Sequence, residues 1–170
     1  MPYTFKDGTY NASIFTGMQT TRLKSGFTLV EIMIVVAIIG LLSAIAIPNM
    51  LLAGKNTRDR RFACEIQNAG HAFVRYAFNN GEYPKDKTPR QMPDGMASYL
   101  DKFPWTEETV IGGTWDWDFG VFGIAAGVSV HTPNRTTDQM RHIDSIFDDG
   151  NLSTGQFRRR SGGYIYILEE

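Results

Sequence analysis

The sequence predicts an α+β protein with one long N-terminal α-helix, membrane-spanning over its first half, packed on a small antiparallel β-sheet. Three observations carry this prediction. Residues 27–47 form an apolar run of 21 residues in which Glu31 is the only charge. As a helix such a run rises roughly 31 Å at about 1.5 Å per residue, against roughly 30 Å for a bilayer's hydrocarbon core. Beyond Pro48, Phe62, Ile66, Ala69, Phe73 and Tyr76 recur at spacings of 4, 3, 4 and 3, one stripe of an amphipathic helix. After residue 113 aromatic and polar residues alternate, and the chain closes on Tyr164-Ile165-Tyr166-Ile167-Leu168, both strand patterns.

The first element carries the most specific signal. An acidic side chain within lipid costs on the order of a few kcal/mol unless it lies near an interface or finds a partner, so Glu31 needs a reason to be there. The run Lys24-Ser25-Gly26-Phe27-Thr28-Leu29-Val30-Glu31 resembles the cleavage and methylation motif of type IV pilins and type II secretion pseudopilins, and Pro48 falls on a proline common in that family. The resemblance implies that a membrane-embedded prepilin peptidase cuts between Gly26 and Phe27 and methylates the new amino group of Phe27. Glu31 then becomes the fifth residue, with an assembly role. A parallel bundle of such helices lets one subunit's Glu31 neutralise a neighbour's terminal ammonium in a low-dielectric setting, which sets axial register. The expected organisation is a leader over 1–26, a helix over 27–80 with 27–47 transmembrane, and a pilin-like head over 81–170.

Two plainer readings of this segment are weaker. A secretory signal peptide has an apolar region of about 7–15 residues followed by a small-residue cleavage site, whereas here the run is longer and its glycine precedes it. An ordinary single-pass anchor explains the length and the cytoplasmic Arg22 and Lys24 flank, but leaves Glu31 unexplained. The leader holds Lys6, Arg22 and Lys24 against Asp7, a net +2, so the remaining 144 residues carry −3 of the chain's overall −1. That charge gives no general bias toward polyanions. A nine-residue leader starting at Met18 is the expected form, with residues 1–17 an upstream start.

The single cysteine, Cys64, excludes an intramolecular disulfide framework, and its helical setting predicts a small, partly packed side chain. Past Pro48 the helix is expected to continue and to stop near Asn79-Asn80-Gly81, where glycine supplies a left-handed cap and Pro84 prevents continuation. Four prolines between Gly81 and Gly113 predict a connecting loop with a short helical possibility over 96–102. Thr114 to Phe119 and Val121 to Val130 read as two antiparallel strands around Gly120 that cover the helix stripe. Residues 137–148 place Met140, Ile143, Ile146 and Phe147 on one helical face, with Thr136 or Thr137 as cap and Gly150 near the end. This order matches the pilin architecture. Gly81-Glu82-Tyr83-Pro84 and Gly112-Gly113-Thr114-Trp115-Asp116-Trp117-Asp118 are similar to the post-helix segment of many secretion pseudopilins. They do not separate pilin from pseudopilin.

Several constellations could carry chemistry. Asp144, Asp148, Asp149 and Asn151 gather oxygen ligands around Gly150, which a calcium ion favours, although a helix end and turn use the same residues as local caps. The resemblance adds that the major secretion pseudopilin holds calcium near its C-terminus, but this chain has no clear copy of that loop. His71, His131 and His142 have no ligand-like spacing with one another or with Cys64. No nucleophile triad or phosphate loop stands out, so the chain does not read as an enzyme. Trp115, Trp117 and Phe119, on alternating strand positions, read as one face of a core rather than a stacking platform. Arg158-Arg159-Arg160 reads as a solvated turn before the last strand, and Arg58, Arg60 and Arg61 as a solvated helix face.

The function these features predict is a structural subunit of a type II secretion pseudopilus or a type IV pilus-like filament. Its implied partners are prepilin peptidase, further subunits of the same kind and an inner-membrane assembly platform. It would sit in the inner membrane with its head in the periplasm before assembly. The alternative is a single-pass anchored binding domain: a DNA-capturing minor pilin, for which the arginines would meet phosphate, or a sensor or adhesin. Nucleic acid is not the favoured partner.

Overall fold

A computed structural model describes residues 26–170, in two units, one ending at Ser43 and one running from Ala44 to Glu170. The leader, apart from Gly26, and the start expected at Met18 lie outside the described residues. In the first unit, residues 26–28 are irregular and helix α1 (Leu29–Asn80) begins. Its side chains here, including Ile32, Ile38 and Leu41, are exposed. Among the described residues α1 is the helix long and apolar enough to cross a membrane.

In the second unit α1 continues past Pro48 and ends as expected, with Gly81 at φ 82° and its N–H donating to the Ala77 carbonyl at 2.8 Å. Four strands follow, β1 (Thr114–Phe119), β2 (Ala126–His131), β3 (Phe157–Arg160) and β4 (Gly163–Glu169), with helix α2 (Thr137–Phe147) between β2 and β3. They form one antiparallel sheet in the order β1-β2-β4-β3. Trp117, Val128, Tyr166 and Phe157 align across the four strands, and antiparallel neighbours point to the same face. That face buries the α1 stripe: Phe73 stacks on Trp117 with centroids 3.8 Å apart, and Phe62 on Trp115 at 5.5 Å. Met140 and Ile143 of α2 close the same core.

The Gly81–Gly113 connection is irregular except for one 3-10 turn at Met96–Ser98, and it is pinned by two buried indoles. Trp117 Nε1 donates to the Pro84 carbonyl at 2.9 Å, and Trp105 Nε1 to that of Gln91 at 2.8 Å. A buried indole N–H is stabilised by a partner, so Trp105 and Trp117 each fasten the loop while filling the core; the buried Trp115 Nε1 has no such partner. The tryptophans are therefore core, as their alternation predicts, while Phe119 at the strand end stays partly exposed.

Three expectations are corrected. The second strand starts at Ala126 rather than Val121, because Gly120, Phe122 and Gly123 all take positive φ and turn the chain before it can pair. Arg158-Arg159-Arg160 is no solvated turn; it lies in the edge strand β3, paired with β4. Cys64 is exposed rather than partly packed, because it falls outside the Phe62, Ile66, Ala69, Phe73 stripe.

Candidate functional site

The N-terminal motif stands at the start of α1. Gly26 and Phe27 lie in the irregular segment before the helix, and Phe27 is 84% exposed. Thr28 takes the N-cap position and Glu31 is three residues on. The Glu31 carboxylate accepts from the Thr28 backbone N–H at 2.7 Å and from its hydroxyl at 2.8 Å, while the Glu31 N–H donates to Thr28 Oγ1 at 3.2 Å. This is a reciprocal capping box, which satisfies helix-start donors and holds an anion at the positive end of the helix dipole. The pattern Thr28-Leu29-Val30-Glu31 is the sequence signal for it, which the reading of Glu31 as a charge in an apolar run does not use. Glu31 thus has a local partner as well as any it finds in an assembly.

A second constellation forms where α2 ends. Asp144 sits on the core-facing side of α2 between Ile143 and Phe147, and it is fully buried. Neither of its carboxylate oxygens has a hydrogen-bond partner. Burial, then the neighbouring Asp148 and Asp149 carboxylates, push its pKa up to about 6. Asp148 terminates the helix and its Oδ2 accepts from the Gln156 and Phe157 amides at 2.5 and 2.8 Å. Asp149 accepts from the Thr154 hydroxyl at 2.6 Å and from the Asn151 amide at 2.7 Å, bonds that hold its pKa below the usual carboxylate range.

Carboxylate oxygens of Asp144, Asp148 and Asp149 all come within 4.8 Å of one another. Three of the four candidate ligands are therefore brought together; the fourth, Asn151, directs its side-chain oxygen to the Ser153 amide at 3.2 Å. An orphaned buried carboxylate beside two further anions fits a hard cation, which neutralises the charge and supplies the missing partner.

The arginine run offers little to a polyanion. Arg158 donates to the Gly155 carbonyl and to Glu170, and Arg160 is buried against Asp116 and Asp118, leaving Arg159 as the exposed member. On α1, Arg58, Arg60 and Arg61 are exposed as the periodicity predicts, with Arg61 paired to Glu65 at 2.7 Å.

A family model described as the prokaryotic N-terminal methylation motif matches residues 21–47. The chain is 33% identical over 103 residues to the type II secretion system core protein G of Pectobacterium carotovorum subsp. carotovorum, covering 51% of this chain and 65% of that protein. It is 31% identical over 103 residues to the type II secretion system core protein G of Dickeya chrysanthemi, covering 51% of this chain and 67% of that protein. It is 36% identical over 66 residues to the type IV wide pilus major component PilA4 of Thermus thermophilus, covering 39% and 50%. The chain thus spans about half to two thirds of the length of these relatives. No solved structure gives a significant match.

Proposed function

Because the chain belongs to the family of type IV pilins and type II secretion pseudopilins, we propose that it is a structural subunit of a pseudopilus or pilus-like filament. The observation that carries this reading is the Gly26-Phe27 junction and Glu31 at the head of an apolar helix that can span a membrane. Prepilin peptidase cuts after Gly26 and methylates Phe27, and the exposed, irregular setting of both residues supports access. The helix anchors the chain in the inner membrane, with the head on the periplasmic side, until an assembly platform draws it into a filament of like subunits. There Glu31 exchanges part of its bond with Thr28 for the terminal ammonium of the neighbouring subunit.

Intact-mass and N-terminal analysis of the chain expressed with and without a prepilin peptidase tests this reading. A mature chain beginning at N-methyl-Phe27 is the expected product, and an unprocessed chain in both cases sinks the proposal in favour of a simple anchored domain. Glu31→Ala is expected to stay cleaved and membrane-inserted but to enter filaments poorly; normal incorporation would leave Glu31 as a helix cap alone.

The acidic cluster is assigned to calcium within the same head. Asp144, Asp148 and Asp149 would hold the ion and backbone carbonyls or water would complete its shell. Its contribution is structural: it ties the end of α2 to the turn that leads into β3.

A further inference from the structure

The outward face of the sheet, opposite α1, carries a charged pocket that the filament reading does not use. Arg160 extends from edge strand β3 over Gly163 of β4 to reach β2 and β1. Its Nη2 donates to Asp116 Oδ2 at 2.7 Å and to Ser129 Oγ at 2.6 Å, and its Nε lies 3.1 Å from Asp118 Oδ2. Phe122, in the turn between β1 and β2, covers the guanidinium at 4.8 Å. Beside this cluster lies a cavity of about 300 Å³ lined by Asp86, Thr88, Asp116, Asp118, Phe122 and Arg160 among others.

The charges do not balance. Asp116 and Asp118 are 5% and 4% exposed, and Asp86 adds a third carboxylate at the rim. One guanidinium pairs with the first two, while Asp86 Oδ1 accepts from the Phe119 N–H at 3.3 Å. Lys87 reaches the same cavity, but its ammonium is 3.0 Å from Asp94, and His131 contributes an imidazole whose Nδ1 has no partner. Asp116 Oδ1 is buried without any hydrogen-bond partner. Burial, then Asp118, push the Asp116 pKa up to about 7 despite Arg160, as expected of a site short of one positive charge.

We propose that this pocket binds a primary ammonium group, which donates to the Asp86 carboxylate, offsets the charge of Asp116 in the cavity wall and is packed against Phe122. An anion does not fit, because the guanidinium is already paired with two carboxylates and an incoming negative charge would meet a wall of three carboxylates. A divalent metal fits poorly, because among the described residues the carboxylates that converge as a metal set are those at the end of α2 instead. An ammonium offers three donors on a small, mobile head, which suits a cavity with carboxylates in its wall and at its rim. The group could be carried by a free alkylamine or by a lysine side chain of a protein partner, and the two sources share the same recognition chemistry.

The test is calorimetric titration of the detergent-solubilised full chain at about pH 8, where Asp116 is mostly ionised. The probes are n-butylammonium and an end-blocked peptide with a single lysine, with tetramethylammonium as a cation that has no N–H to donate. Saturable one-to-one binding of the first two and not the third is expected, weakened about tenfold by Asp116→Asn through loss of the carboxylate charge in the cavity wall. Asp86→Asn leaves every Arg160 contact in place and is also expected to weaken binding, which guards against a misfolded Asp116 variant. Clearly tighter binding of the peptide identifies a protein lysine as the source, and equal affinity identifies a free amine. No saturable binding of either probe, or affinities unchanged in both variants, overturns the proposal. Neither result bears on peptidase processing or filament entry, so the filament reading stands or falls separately.

Discussion

Removing the Arg160 side chain as Arg160→Met should destabilise the head far more than a surface arginine would. Wild-type Arg160 is the cationic partner of two carboxylates that are each about 95% buried and lie on the opposite edge strand. Its loss leaves two uncompensated buried charges, for which the expected cost is about 3–5 kcal/mol. The cost should depend on pH with a definite sign. The folded-state pKa of Asp116 is already raised from 3.8 to about 7, so ionising it opposes folding, and its contribution is fully present below the unfolded value and lost as pH rises toward 7. Without the guanidinium the carboxyls hold their protons still more strongly. The penalty should then be largest at about pH 8 and smaller at about pH 5, where both carboxyls can take up protons at little cost. Urea unfolding of the detergent-solubilised chain, followed by tryptophan emission, reads this directly, because all three tryptophans are buried in the head. A cost below about 1 kcal/mol at both pH values, the behaviour of a solvent-screened pair, would refute the reasoning.

Other outcomes follow from the same structure. Calcium is expected to raise the melting temperature of the head, and Asp148→Ala to remove that shift. The shift should also shrink as pH falls below about 6, where protons compete with the ion for Asp144; no change across millimolar calcium would exclude the site. Gly70→Ala in α1 places a Cβ 2.9 Å from Leu168 Cδ2 and 3.1 Å from Tyr166 Cε1, and should cost about 1–3 kcal/mol in urea unfolding through overpacking at the helix–sheet contact. Thr136→Ala removes one half of the capping box in which Thr136 Oγ1 accepts from the Gln139 N–H at 3.3 Å and Gln139 Oε1 from the Thr136 N–H at 3.1 Å. It should cost about 1 kcal/mol by the same measurement.

What could be read in the sequence was local. The 4, 3, 4, 3 stripe over Phe62 to Tyr76, the Asn-Asn-Gly stop and the Thr136 cap each depend on neighbours within about one helical turn, and each stands where its pattern places it. The alternation Trp115-Asp116-Trp117-Asp118 correctly assigned the indoles to the core. It said nothing of the aspartates' surroundings, and both are buried. Period-two alternation tells which residues share a face, but not whether something covers the second face.

The Glu31 capping box is equally local, carried by a threonine and a glutamate three residues apart. The acidic cluster was legible as a composition, Asp144, Asp148, Asp149 and Asn151 around a glycine. Its geometry was not, since the helix end and the following turn decide that three side chains converge and the fourth caps its own loop.

The sequence by itself determined the membrane-length helix, the methylation motif with the family it points to and the α+β order of elements, because each rests on periodicity or on contiguous residues. Only the tertiary structure decided that the arginine triplet forms an edge strand, that Arg160 is a buried counterion rather than a surface charge, and that Asp144 loses its solvent. Arg160 and Asp116 are 44 residues apart. Their pairing depends on strand order and on what the Gly120–Ala125 turn covers, and no local pattern encodes either.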